Sequence, residues 1–98
     1  MAAFVIVDIT VANAVQYEEY RKLAATTVLA HGGKYLVRGG KVEVLEGDWC
    51  PSRFVILEFP NAEKARTWLN SDEYRAPRAI RHASSRTNMI LVEGVPGT

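Results

Sequence analysis

What is scarce in this chain narrows it first. It holds one cysteine, Cys50, so no internal disulfide can form, and the expectation is a reducing, cytoplasmic compartment. Its two histidines, His31 and His82, lie far apart, which gives no spacing for a tetrahedral metal site. An excess of one charge is missing too: 12 Lys+Arg stand against 11 Asp+Glu, a net charge of +1. That balance argues against a general electrostatic grip on nucleic acid or on an anionic membrane. Long apolar runs are absent. Ala2–Val7 is far shorter than the roughly 20 residues a membrane span needs, and it lacks the basic start of a signal peptide. Gly32-Gly33 and Gly39-Gly40 lack the Lys-Ser/Thr of a phosphate cradle, and no cofactor signature is present, so no metal or cofactor is expected.

What is there is ordinary for a folded domain: 48% hydrophobic and 23% charged residues over 98 positions. Residues 1–98 read as a single domain. At 10.9 kDa the folded surface should be roughly 5,600 Å², with about 65% of the unfolded surface buried. That supports one thin core, two layers deep.

Ala3–Val11 (AFVIVDITV) is dense in β-branched residues and reads as a strand. Val5, Val7, Ile9 and Val11 share one face; Phe4, Ile6, Asp8 and Thr10 share the other, which turns polar at Asp8. Asn13 is a good N-cap, and Tyr17, Tyr20, Leu23, Ala24, Thr27, Val28 and His31 then fall on one helical stripe. Gly32-Gly33 ends that helix. Lys34–Arg38 (KYLVR) is a short strand, interrupted by Gly39-Gly40 as a bulge or tight bend and resumed over Lys41–Glu46 (KVEVLE). A loop, Gly47–Ser52, leads to the strand Arg53–Phe59 (RFVILEF). Asn61 caps a helix over AEKARTWLN, and Ser71 caps DEYRAPRAIRHA, where Pro77 predicts a kink or a restart. Thr87–Val95 is the last strand and Pro96-Gly97-Thr98 a tail.

Strand, helix, two strands, helix, strand, joined by right-handed crossovers, is an α+β, ferredoxin-like βαββαβ fold with a four-stranded antiparallel sheet. The faces Val5/Val7/Ile9/Val11 and Val55/Leu57/Phe59 suit the helix side. Phe4, Ile6, Phe54 and Ile56 are left on the opposite face, and the chain has no further element to cover them. An uncovered apolar face implies a partner, most simply a second copy stacked by two-fold symmetry.

The stretch HGGKYLVRGG (His31–Gly40), with VLEGDW-PSR (Val44–Arg53), FP-AEKA-W-SDEY (Phe59–Tyr74) and the final LVEG (Leu91–Gly94), resembles the domain of unknown function 1330 family of the dimeric α/β-barrel superfamily. GG-YLVRGG is the specific part, and the resemblance covers nearly the whole chain. It implies a ferredoxin-like protomer, two of which join sheets into a dimeric α/β barrel with a central cavity. The wider superfamily includes cofactor-independent monooxygenases, muconolactone-type isomerases, haem-degrading enzymes and ligand-sensing domains. The resemblance therefore implies that any enzyme here is a cofactor-independent oxygenase or isomerase. One departure is Trp68-Leu69, where the family tends to carry Trp-Tyr on the second helix.

Three residues are candidate catalysts. Asp8 and Glu58 each interrupt an apolar strand face, as a general base in a dry cavity or as half of an ion pair. Antiparallel pairing puts them towards opposite ends of the sheet. His31, at a helix end, either bonds the last carbonyls or works as an acid/base at a cavity mouth. Arg38, before a glycine pair, either holds a substrate oxyanion or bridges to Glu58 or Asp8. Tyr35, Trp49, Arg53 and Tyr74 are the further substrate-binding candidates; the aromatics either line a pocket or simply pack, and Trp49 reads as a rim or dimer-contact residue. Trp68 reads as core. Cys50 has no nearby base and reads as a free surface thiol. Arg75, Arg78, Arg81, His82 and Arg86 form a basic run that reads as a face solvated or paired with acids elsewhere, with an anionic partner as the alternative.

Two functions compete. One is a small enzyme binding an anionic or aromatic molecule in a cavity, with Asp8 or Glu58 moving a proton and Arg38 holding the anionic intermediate. The other is a non-catalytic dimeric ligand-binding or interaction module. RNA binding is disfavoured because Arg53–Phe59 has no glycine, places Ile56 where an aromatic should stack, and carries acidic Glu58.

Overall fold

The computed structural model describes residues 1–96; Gly97 and Thr98 of the expected tail lie outside the described residues. The elements are β1 (Ala3–Val11), α1 (Ala14–Ala30), β2 (Lys34–Arg38), β3 (Arg53–Phe59), α2 (Ala62–Leu69), α3 (Asp72–Ser84) and β4 (Ser85–Glu93). The strands form one four-stranded sheet in the order β2-β3-β1-β4, with every neighbour antiparallel. This is the ferredoxin-like arrangement.

The helices start where side chains can catch orphan N–H groups. Asn13 accepts from the Gln16 N–H at 3.0 Å, Asn61 from Lys64 at 2.8 Å and Ser71 from Tyr74 at 3.2 Å. Gly32, at φ +80°, closes α1 in a left-handed conformation that other residues adopt reluctantly. The Tyr17/Tyr20/Ala24/Thr27/Val28 stripe of α1 is buried, while Leu23 is exposed.

Val5, Val7, Ile9, Val55, Leu57 and Phe59 are buried beneath the helices. Trp68 sits at the centre, its ring 4.3 Å from Tyr74 and 5.5 Å from Phe59 by centroids. Its Nε1–H donates to Thr27 Oγ1 at 3.0 Å, and that hydroxyl donates to the Ala24 carbonyl at 2.7 Å. The one polar atom of the core tryptophan is thereby satisfied.

Three boundaries differ from expectation. Lys41–Glu46 is not a strand: residues 39–52 are irregular and largely exposed. β2 is an edge strand, so the Val42/Val44 alternation has no strand to pair with, and pattern without a partner does not make a ladder. α3 runs through Pro77 without restarting. Tyr74, Pro77, Arg81 and Ser84 are buried along one of its faces, and that packing outweighs the hydrogen bond lost at the proline. The last strand begins at Ser85, two residues early, because Val11 pairs with Ser85 and Thr10 with Arg86. No helix among the described residues is long and apolar enough to cross a membrane.

Candidate functional site

The site is made by a one-residue irregularity in β2. Lys34 pairs with Glu58 and Tyr35 with Leu57, but Val37 pairs with Ile56 and Arg38 with Val55. Leu36 is thus an extra residue, one bulge earlier than the glycine pair where a break was expected. A bulge resets which face each side chain takes. Strict alternation would send Tyr35 and Arg38 to opposite faces. With the bulge, Tyr35 shares a face with Leu57 and Arg38 with Val55, so both point to the helix side.

There they meet α1. Arg38, Arg53, Tyr35, Tyr17, Tyr20 and Arg21 line one cleft between α1 and the sheet, with Leu57 and Trp68 among its inner walls. The Arg38 guanidinium carbon lies 4.5 Å from the Tyr35 ring centroid, and that of Arg53 lies 5.5 Å from Tyr17. Such contacts contribute about 0.5–1 kcal/mol at exposed sites, enough to orient a guanidinium without neutralising it. Arg38 also donates to the Arg21 carbonyl at 3.0 Å. Gly39 has φ +71°, a left-handed conformation that favours glycine, and a Cβ there would come within 2.6 Å of the Arg53 guanidinium and displace it.

The charges in the cleft are unevenly paired. Arg21 is bonded to both oxygens of Glu18, at 2.9 and 3.1 Å. Arg38 and Arg53 have no carboxylate within ion-pair distance among the described residues. Arg21 and Arg53 each bury an Nε without a hydrogen-bond partner. Among the described residues, no Asp, Glu, His or Cys lines the cleft. Burial pushes the Tyr35 phenol above its ordinary value, opposed in part by Arg38. Tyr20 is pushed up strongly by burial, by the nearby Tyr74 and by the hydrogen bond between them. Both phenols therefore stay protonated at neutral pH and serve as donors, not bases. The interior leaves about 30 Å³ for the centre of a water-sized molecule, which suits the head group of a ligand and not a whole ring.

The other sequence candidates lie elsewhere. Tyr74 is fully buried, its hydroxyl 2.6 Å from that of Tyr20, so it backs the cleft and does not line it. His31 caps α1: its Nδ1 is 2.9 Å from the Thr27 carbonyl oxygen. Asp8 and Glu58 occupy the face of the sheet turned away from the helices. Glu58 meets Lys34 at 3.5 Å, and Asp8 accepts from Trp49 Nε1 at 2.9 Å. Neither can pair with Arg38, because the sheet stands between them. Asp8 and Glu58 are also four pairs apart along β1, opposite Phe54 and Phe4 respectively. Trp49 folds over the open face against Phe54, 5.9 Å between centroids. Arg21, Tyr17 and Tyr20 were not singled out as site residues in the sequence. The signal was present as a Tyr-x-x-Tyr-Arg run on the buried stripe, with the arginine at its margin. Among the described residues, no cluster of three His, Cys, Asp or Glu side chains could hold a metal ion.

A βαββαβ protomer of this kind is shared by several solved structures. RPA0582, a protein of unknown function from Rhodopseudomonas palustris, superposes with a TM-score of 0.79 at 17% identity, covering 96% of this chain and 82% of that one. SnoaB, a cofactor-independent oxygenase from Streptomyces nogalater, gives 0.64 at 13% identity, over 96% and 92%. An antibiotic biosynthesis monooxygenase gives 0.61 at 14% identity, over 98% and 100%. These likenesses show the fold, a ferredoxin-like one. Within it, the chain belongs to the family of the domain of unknown function DUF1330, whose model matches residues 2–95. No curated protein matches the sequence significantly.

Proposed function

We propose that the protein is a cytoplasmic homodimer that binds a small organic anion without a cofactor, its head group in the α1–sheet cleft and an aromatic or other planar body at the mouth of that cleft. The observation that carries this reading is the convergence of Arg38 and Arg53, neither paired to a carboxylate, on a cleft walled by Tyr17, Tyr20 and Tyr35. Two unneutralised guanidinium forks favour an oxyanion, and the tyrosine faces favour a flat body beside it.

The lining supports binding more than acid/base chemistry, because it offers no base that titrates near neutrality. The catalysis open to it is the stabilisation of a negative charge that the substrate itself develops, as in an enolate or phenolate. Kinship of fold with a cofactor-independent oxygenase supports that second reading. The first test is a thermal melt with benzoate and with benzyl alcohol. Benzoate should stabilise the protein more than the alcohol does, and Arg53→Gln and Arg38→Gln should each reduce the gain. Equal effects of the acid and the alcohol would sink the anion reading. Phenolic and enolisable ligands recovered unchanged, with no oxygen consumed, would decide for binding over oxygenation.

The dimer rests on the open face. Phe4, Ile6, Phe54 and Ile56 are only half-buried there, Ile90 is 56% exposed and Val92 42%. The protomer exposes 6314 Å², against roughly 5,600 Å² for its mass. The surplus of about 700 Å² is close to what one partner contributes to a standard interface. Light scattering should give twice 10.9 kDa.

A further inference from the structure

Past Trp68 and Met89, on the same side of the sheet, a second cleft opens between α2, α3 and β4. It leaves about 320 Å³ for the centre of a water-sized molecule, where the first cleft leaves about 30 Å³. That is room for a whole small ligand. One wall carries Arg66 of α2 with Arg78, Arg81 and His82 of α3; the other surface is apolar, with Trp68, Leu69, Met89 and Leu91.

The basic run of the sequence is not one solvated face. Arg75 pairs with Asp72 at 2.7 Å, and Arg86 is exposed. Arg81, by contrast, is 3% exposed. It donates through Nη1 to the Thr87 hydroxyl, and its Nη2 lies 3.3 Å from His82 Nε2. Its Nε is buried without a partner, and so is that of Arg78. Among the described residues, no Asp or Glu lines the cleft, and Arg66, Arg78 and Arg81 form no ion pair. Burying a guanidinium with no counter-charge is unfavourable, so a site that does so is completed by an anion from outside. His82 reports the same field: its pKa is held down by loss of solvent and then by the charges of Arg81 and Arg78.

We propose that this second cleft binds an organic oxyanion, a carboxylate or phosphate head on an apolar body. The head meets Arg81 with Arg66 and Arg78, and the body lies against Trp68, Leu69 and Met89. The site is independent of the first cleft, whose cations come from α1, β2 and β3.

Calorimetric titration of the full chain carrying Arg53→Gln, which removes anion binding in the first cleft, with 2-naphthoate, 2-naphthyl phosphate and neutral 2-naphthylmethanol tests it. At least one of the two anions should bind about tenfold or more tightly than the alcohol, and the better of them identifies the head group. Arg81→Met should abolish that preference, while the free protein melts no lower than the parent, because a buried unpaired charge has been removed. Should Arg81→Met fail to fold, the Arg66→Gln/Arg78→Gln double variant, whose side chains reach solvent, should weaken the anion by about tenfold. Anion binding that persists in this Arg53→Gln background separates this site from the first cleft. Equal binding of anion and alcohol overturns the proposal. So does anion binding that survives Arg81→Met, or that is lost with Arg53→Gln instead.

Discussion

The two faces of the sheet are built from the same strands and carry opposite chemistry. Towards the helices, valine, isoleucine and leucine are buried, and the charges at the margins are arginines: Arg21, Arg38 and Arg53 at one end, Arg66, Arg78 and Arg81 at the other. Away from the helices, phenylalanine and isoleucine are half-exposed, and acids enter among the charges, Asp8 and Glu58 beside Lys34 and Arg86. Residues five apart on one strand, Arg53 and Glu58, are thus separated by the sheet itself. The lesson is that strand parity sorts charge. Acids that look like partners for the arginines in the sequence are withheld from them, and the guanidinium groups are left for something else.

That contrast can be broken from either side. The largest effect is expected at the shared wall of the two clefts: Trp68→Ala should cost about 3–5 kcal/mol in urea denaturation, the range for a fully buried tryptophan. On the open face, Ile6→Glu should leave the circular dichroism unchanged but weaken the dimer by about 30-fold or more, read by light scattering across a dilution series. A stable dimer of Ile6→Glu would mean that the open face is not the interface.

Tyr20→Phe leaves the buried Tyr74 hydroxyl without its partner and should cost about 2 kcal/mol. It also has a pH signature. The Tyr20 pKa is raised in the folded protein, so its neutral form is favoured there. Its contribution is present in full below the unfolded tyrosine value of about 10 and is lost as pH rises above that. Stability measured from pH 9 to about 11.5 should fall more steeply for the parent than for Tyr20→Phe. Parallel curves would count against a buried, protonated Tyr20.

Inserting one alanine between Val37 and Arg38 shifts Arg38 by one position along the strand and should turn it to the open face. Benzoate binding in the first cleft should weaken about tenfold while the melt stays cooperative. The smallest effect is expected at Glu58→Gln, which removes the partly exposed pair with Lys34 and should cost under about 1 kcal/mol by denaturant titration.

Much of the fold was legible because it rests on local rules. The caps Asn13, Asn61 and Ser71, the stop at Gly32-Gly33 and the alternation in Ala3–Val11 each act over a few residues. The site was legible only in part. Tyr35, Arg38 and Arg53 were recognisable as candidates, but their company was not. The single extra residue at Leu36 reverses the face of Val37 and Arg38, and nothing in KYLVR distinguishes a bulged strand from a regular one. The strand expected over Lys41–Glu46 failed for a related reason: its pattern is sound, but no neighbour pairs with it.

By itself, the sequence determined the order of the paired strands and the helices, where each helix starts and which face of β1 and β3 is apolar, because capping, turn chemistry and periodicity are properties of neighbouring residues. It also determined the lack of any cysteine pair and the near-neutral charge. Only the tertiary structure decided which charges meet. Arg81 was one arginine in a basic run until the packing of α3 on β4 buried it without a counter-ion. Arg38 was a plausible partner for Glu58 until the register of β2 placed the sheet between them. Charge pairing depends on distance through the fold, and a few residues of sequence separation say nothing about which side of a sheet each charge will occupy.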